Sequence, residues 1–153
     1  MVLPFQDIGI EAEDEVGGKI SQLGDISNRL HLQTPNGFAI TTTAFFAFMS
    51  HSGLLDLAQK GIEQWDGTDQ ELHELADLMQ SRIMDSPLPW RLVAQIDAMI
   101  DVLSKCPVHP LHLALRSSAV GEDSLGVSFA GQYRSELNVP PEEACEVWKE
   151  IIA

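Results

Sequence analysis

Apolar residues recur at helical spacing along most of the chain and run together or alternate in only a few short stretches, which predicts helices with a few strands between them. From Val16 the apolar positions fall at Val16, Ile20, Leu23, Ile26 or Ser27, and Leu30, the stripe of a helix that Asp14 or Glu15 can cap. Gln33-Thr34-Pro35-Asn36-Gly37 then reads as a turn, because proline fixes one dihedral and Asn-Gly tolerates positive φ. Phe38 to Thr42 predicts a short buried strand. Thr42 or Thr43 can cap a helix through Ala44, Phe45, Phe48 and Met49 that His51-Ser52-Gly53 closes. Residues 54–64 continue as a helix or a loop, and Gly67-Thr68-Asp69 supplies a break and a cap. From Asp69 to Asp85, Leu72, Leu75, Ala76, Met79 and Ile83 share one stripe of an amphipathic helix that Pro87 and Pro89 terminate. The next helix runs from Trp90 to Leu103 with Val93, Ile96, Ile100 and Leu103 inward.

Beyond Cys106-Pro107-Val108-His109-Pro110 the pattern changes. An apolar strand ends at Arg116, strands near 126–130 and 133–139 flank Gly131-Gln132, and Pro140-Pro141-Glu142-Glu143 opens a last helix with carboxylates at the positive end of its dipole. At the other end, Val2-Leu3-Pro4-Phe5 reads as a docking arm or edge strand, and the acidic Glu11 to Glu15 as a solvated lead-in, with residues 1–15 open to partial mobility. The class expected is α+β: a small mixed sheet from strands near 38–42, 112–116, 126–130 and 133–139, packed on helices, with residues 42–104 inserted as a helical block. The last helix stops on Ile151-Ile152-Ala153 without a cap, so the chain is expected to be part of a longer protein, and association into a homo-oligomer through that apolar face is left open.

Charge narrows the function classes. Nine Lys and Arg against 23 Asp and Glu give a formal net charge of −14, which repels nucleic acid and anionic membrane over most of the surface. A small phosphorylated ligand stays compatible, since it needs only a few cations held together. Two cysteines without a CxxC pair, a start without a cationic leader and no long apolar run predict a reduced, cytoplasmic chain with no membrane span.

With so few cations, their settings carry the chemistry. Leu113-Ala114-Leu115-Arg116-Ser117-Ser118 brings an arginine out of an apolar strand beside two hydroxyls, where its planar fork suits phosphate oxygens. Pairing of Arg116 with Glu122 or Asp123 in an acidic turn is the structural alternative. Gly17-Gly18-Lys19 at a helix start is not a Walker A loop, because Glu13 stands where the first glycine is needed and Ile20 where the hydroxyl is needed. Opened backbone, helix-start amides and an ammonium group can still hold polyphosphate, against the alternative of a flexible helix start. Ser128-Phe129-Ala130-Gly131-Gln132 adds a glycine that admits either a ligand or a hairpin turn. Cys106, His109 and His112 lack a fourth zinc ligand, and Glu122-Asp123 fits a turn better than magnesium. Ser117 and Ser118 have no identifiable base, so no catalytic nucleophile is assigned.

These separated segments, in order, resemble one family. Val16-Gly17-Gly18-Lys19, Thr34 to Thr41, Met84-Asp85-Ser86-Pro87, Arg116-Ser117-Ser118-Ala119 with Glu122-Asp123, Ser128 to Gln132 and Leu137-Asn138-Val139 resemble the N-terminal nucleotide-binding domain of phosphoenolpyruvate synthase and pyruvate phosphate dikinase. The resemblance implies that residues 1–153 are the first part of an ATP-grasp-like domain. In that family ATP phosphorylates a histidine on another domain, which then phosphorylates pyruvate. By position it implies that Lys19, Arg116, Gly131 and Gln132 lie at the ATP phosphates. The adenine pocket, the magnesium ligands, the phosphohistidine domain and the pyruvate-binding domain are expected beyond this chain, so alone it is expected to be inactive. A rifampicin phosphotransferase with another acceptor and a non-catalytic binding or regulatory module on the same fold are the alternatives.

Overall fold

A computed structural model describes residues 1–105, 110–118 and 134–153. Strand β1 (Val2–Pro4) and two single 3-10 turns lead into the short helix α1 (Glu13–Val16), and α2 (Gly18–Leu30) follows at once. Strand β2 (Phe38–Ile40) precedes four helices, α3 (Thr42–His51), α4 (Leu54–Gln64), α5 (Asp69–Asp85) and α6 (Trp90–Ser104). Strands β3 (Leu113–Arg116) and β4 (Ser135–Val139), a 3-10 turn over Pro141–Glu143 and helix α7 (Ala144–Ile152) complete the described elements.

Local chemistry sets most boundaries. Thr68 caps α5 by accepting a hydrogen bond from the Glu71 amide at 3.4 Å, and the chain leaves the helix at Ser86-Pro87. The cap of α3 is Thr41, whose side chain accepts from the Ala44 amide at 3.4 Å, one residue earlier than Thr42 or Thr43. The expected single helix from Val16 is divided. Gly17, at φ 81°, ends α1 and stands as the N-cap of α2, so neither Asp14 nor Glu15 caps the longer helix. Residues 54–64, left as helix or loop by the pattern, are helical, started by Gly53 at φ 68°.

The α+β class stands, and the sheet is divided. Among the described residues the strands form two antiparallel pairs, β1 with β2 and β3 with β4, in place of one mixed sheet. The reason lies at the N-terminus: Val2–Pro4 pairs with Phe38–Ile40 in register Val2 to Ile40, supplying β2 with a partner close in sequence. The stretch expected near 126–130 lies outside the described residues. Residues 1–15 are held by more than this ladder. Ile8 is fully buried in a small cluster with Val16 and Ala39, and the Asn28 side chain donates to the Ile8 carbonyl at 2.9 Å.

The main core lies where α3, α5, α6 and α7 meet. Phe48, Leu54, Ile83, Leu92, Ile96, Ile100 and Trp148 are buried there, with the Phe48 and Trp148 rings edge to face at 5.8 Å. Only the C-terminal part of the α5 stripe reaches it. Ile83 is buried and Met79 packs on the cluster, whereas Leu72 is 44% exposed. Helix α7 is tied to α5 by Lys149, whose Nζ donates to the Met84 carbonyl at 2.7 Å near the α5 C-terminus and pairs with Glu146 at 3.0 Å. Among the described residues no helix is long and apolar enough to cross a membrane.

Two outcomes follow from this packing. Phe48→Ala should lower unfolding free energy by ~3–5 kcal/mol in urea titration, because it empties the centre of the core. Lys149→Met keeps the buried stem but strands the Met84 carbonyl, and should cost ~1–3 kcal/mol in the same measurement.

Candidate functional site

Gly17 is the pivot of the Lys19 segment. Its N–H donates to the Glu13 carbonyl at 2.8 Å, closing α1, and its carbonyl accepts from the Ser21 N–H at 3.1 Å, opening α2. One residue thus ends one helix and starts the next, which α-helical dihedrals cannot do at φ 81° and ψ 158°. Ser21, fully buried, turns its hydroxyl back to the Gly18 carbonyl at 2.9 Å. Gly24 presses on the Ile8 carbonyl so closely that no side chain fits between them. The small face of α2 therefore packs inward. Lys19 lies exposed in the first turn, which carries no acidic residue and no side-chain cap. A cation at this end opposes the helix dipole, and an anion bound at the same end relieves that opposition.

Arg116 is delivered by a different device. It ends β3 paired with Ser135 of β4, exposed, and among the described residues it has no carboxylate partner. Just beyond it, Ser117 donates to the Arg134 carbonyl through its N–H and its hydroxyl, both at 3.3 Å. Arg134 is in turn clamped by Glu136 at 2.6 Å and Glu150 at 2.7 Å, and these carboxylates raise its pKa above the ordinary arginine value, the hydrogen bond to Glu136 contributing most. Glu136 and Glu150 are thus both engaged by Arg134.

The two segments touch at one place. A methyl group added to Gly17 would fall 2.5 Å from Ser118 Oγ, 2.7 Å from the Ser118 carbonyl oxygen and 2.9 Å from its carbonyl carbon. Lys19 lies two residues after this contact and Arg116 two residues before it, each within ~7 Å of backbone. At the contact, Ser118 Oγ is buried and among the described residues has no hydrogen-bond partner. The sequence motifs held both cations; the Gly17–Ser118 contact between them was not visible there, since no local pattern pairs positions so far apart.

The other candidates are distributed differently. Gly131, Gln132, Glu122 and Asp123 lie outside the described residues, as do Cys106 and His109. His112 has its Nδ1 at 3.4 Å from the Pro110 carbonyl oxygen. Among the described residues no group of three or more His, Cys, Asp or Glu could hold a metal ion. A cleft of about 220 Å³ that neither cation lines lies between the Thr34–Phe38 segment and Met99 and Val102 of α6.

The helix-start segment that carries Lys19 and the strand-end segment that carries Arg116 thus meet at Gly17 and Ser118 within an α+β fold. The chain belongs to the pyruvate phosphate dikinase AMP/ATP-binding domain family, whose model matches residues 13–153. It is 32% identical over 143 residues to a phosphoenolpyruvate synthase of Neisseria meningitidis, covering 90% of this chain and 18% of the relative. The phosphoenolpyruvate synthase of Escherichia coli is 33% identical over 143 residues, with 91% of this chain and 18% of the relative covered. A rifampicin phosphotransferase from a Streptomyces species is 31% identical over 140 residues, covering 91% and 16%. The chain thus spans under a fifth of the length of these relatives.

Because the Ser118 hydroxyl is buried without a partner, Ser118→Ala should leave the urea midpoint unchanged or raise stability by up to ~1 kcal/mol. A loss above ~1 kcal/mol would show that the hydroxyl is bonded in solution.

Proposed function

We propose that this chain supplies part of the ATP site of a cytoplasmic phosphotransferase of the phosphoenolpyruvate synthase type, with Lys19 and Arg116 as the cations that hold the ATP phosphates. The observation that carries the reading is the Gly17–Ser118 contact, which joins the two cation-bearing segments of a chain in the AMP/ATP-binding family. Gly131 and Gln132 would complete the phosphate side from a loop outside the described residues. In this reading residues 1–153 form the first subdomain of the nucleotide-binding domain, with residues 42–104 as a helical block inserted within it.

Phosphoryl transfer asks little covalent chemistry of such a site. Positioning and charge stabilisation carry most of it. Arg116 offers a planar fork of donors, Lys19 a mobile point charge, and the start of α2 contributes its dipole. ATP bound here would phosphorylate a histidine on another domain of the whole protein, and that histidine would pass the phosphate to pyruvate. Magnesium would neutralise phosphate charge when bound. In this reading its ligands come from outside the 153 residues. The 153 residues alone are expected not to turn over ATP.

A second reading keeps the site and changes the acceptor. It is favoured by the similarity to the Streptomyces rifampicin phosphotransferase, which matches this chain about as well as the synthases do. A non-catalytic module on the same fold would retain the packing without needing either cation.

In the complete protein, Lys19→Ala and Arg116→Ala should each lower ATP-dependent phosphorylation of the acceptor histidine by ~10²-fold or more, with the melting temperature held. Labelled ATP and a pyruvate or rifampicin acceptor distinguish the two enzymes. Unaltered phosphorylation in both variants would overturn the assignment of the cations.

A further inference from the structure

Gly17 is required at its position twice over. Its φ of 81° with ψ of 158° lies in a region that is essentially confined to glycine. Its bare α-carbon also faces Ser118, and two of the three atoms a methyl would strike, the carbonyl oxygen at 2.7 Å and the carbonyl carbon at 2.9 Å, are backbone. Rotation of a side chain cannot relieve them. Neither flank yields readily. On one side Gly17 carries the last hydrogen bond of α1 and the first of α2, at 2.8 and 3.1 Å, so a shift at Gly17 moves the turn that bears Lys19. On the other, Ser117 is bonded twice to the Arg134 carbonyl at 3.3 Å, and Arg134 is clamped by Glu136 and Glu150.

At this contact Ser118 Oγ is buried and has no hydrogen-bond partner among the described residues, a state that costs free energy. Such costs persist where geometry serves a site.

We propose that Gly17 is a positioning residue that sets the separation of Lys19 and Arg116: Ser118 seats directly on its α-carbon, and the two cations are thereby held at the span of one polyphosphate. The proposal rests on the reading that both cations hold ATP phosphates, and it adds that they act as a unit only while this seam is closed. A wider seam leaves each cation intact and weakens their cooperation.

The test is a set of ATP affinities, by titration calorimetry on the complete protein, for Lys19→Ala, Arg116→Ala and the double variant, each made with Gly17 and with Gly17→Ala. With Gly17 the two losses should be coupled by about tenfold. In Gly17→Ala the affinity should fall by about tenfold and the coupling factor should approach one. A merely structural role would lower the melting temperature and leave the coupling factor where it was. Should Gly17→Ala not fold, Ser118→Thr decides, since it crowds the same seam without straining the Gly17 backbone and predicts the same loss of coupling. A coupling factor unchanged in the folded variant overturns the positioning role alone. If neither cation change alters ATP affinity in the Gly17 protein, the site assignment fails and the positioning role with it.

Discussion

The rest of the site depends on one close backbone approach, that of Gly17 to Ser118. It joins a helix start built at the beginning of the chain to a strand end built after the whole helical block, and a side chain on Gly17 would part them. Everything around it acts to hold those two ends still. The small face of α2 packs through Ser21 and Gly24 onto the N-terminal segment, and β3 is held by β4 and, beyond it, by Arg134. The main core around Phe48 and Trp148 draws on α3, α6 and α7, and Lys149 fastens α7 to the end of α5.

The charge balance decides less than its size suggests. A chain of −14 repels ATP at long range, yet at physiological ionic strength exposed charges are screened beyond ~8 Å. Within that distance the local arrangement governs. Near Arg116 the neighbouring carboxylates Glu136 and Glu150 are occupied by Arg134. In this acidic chain one arginine thus engages the carboxylates that lie beside another.

Much of the scaffold was legible in the sequence, and the reasons are local. The bounds of α5 follow from Thr68 and Pro87, and those of α6 from Pro89 and the apolar period through Ile96 and Ile100. Local rules misjudged places where tertiary geometry decides. Gly17 divides a stripe that reads as one helix, because it takes a positive-φ conformation at its close approach to Ser118. Leu72 belongs to the α5 stripe but sits beyond the reach of the core, so its period is right and its burial is not. The strands among the described residues were recognised one by one. Their pairing into two antiparallel ladders was not, since the short N-terminal arm carried too little pattern to claim β2. The motifs named both cations, but only the fold supplied what joins them.

The central claim is that Lys19 and Arg116 meet the same polyphosphate. The most direct measurement is a crystal structure of the complete protein with magnesium and a non-hydrolysable ATP analogue. The account predicts phosphate oxygens within ~3.2 Å of both Lys19 Nζ and the Arg116 guanidinium, with Ser118 still seated on Gly17. A nucleotide whose phosphates contact neither cation, with Lys19 and Arg116 both paired to carboxylates of the protein, would contradict it.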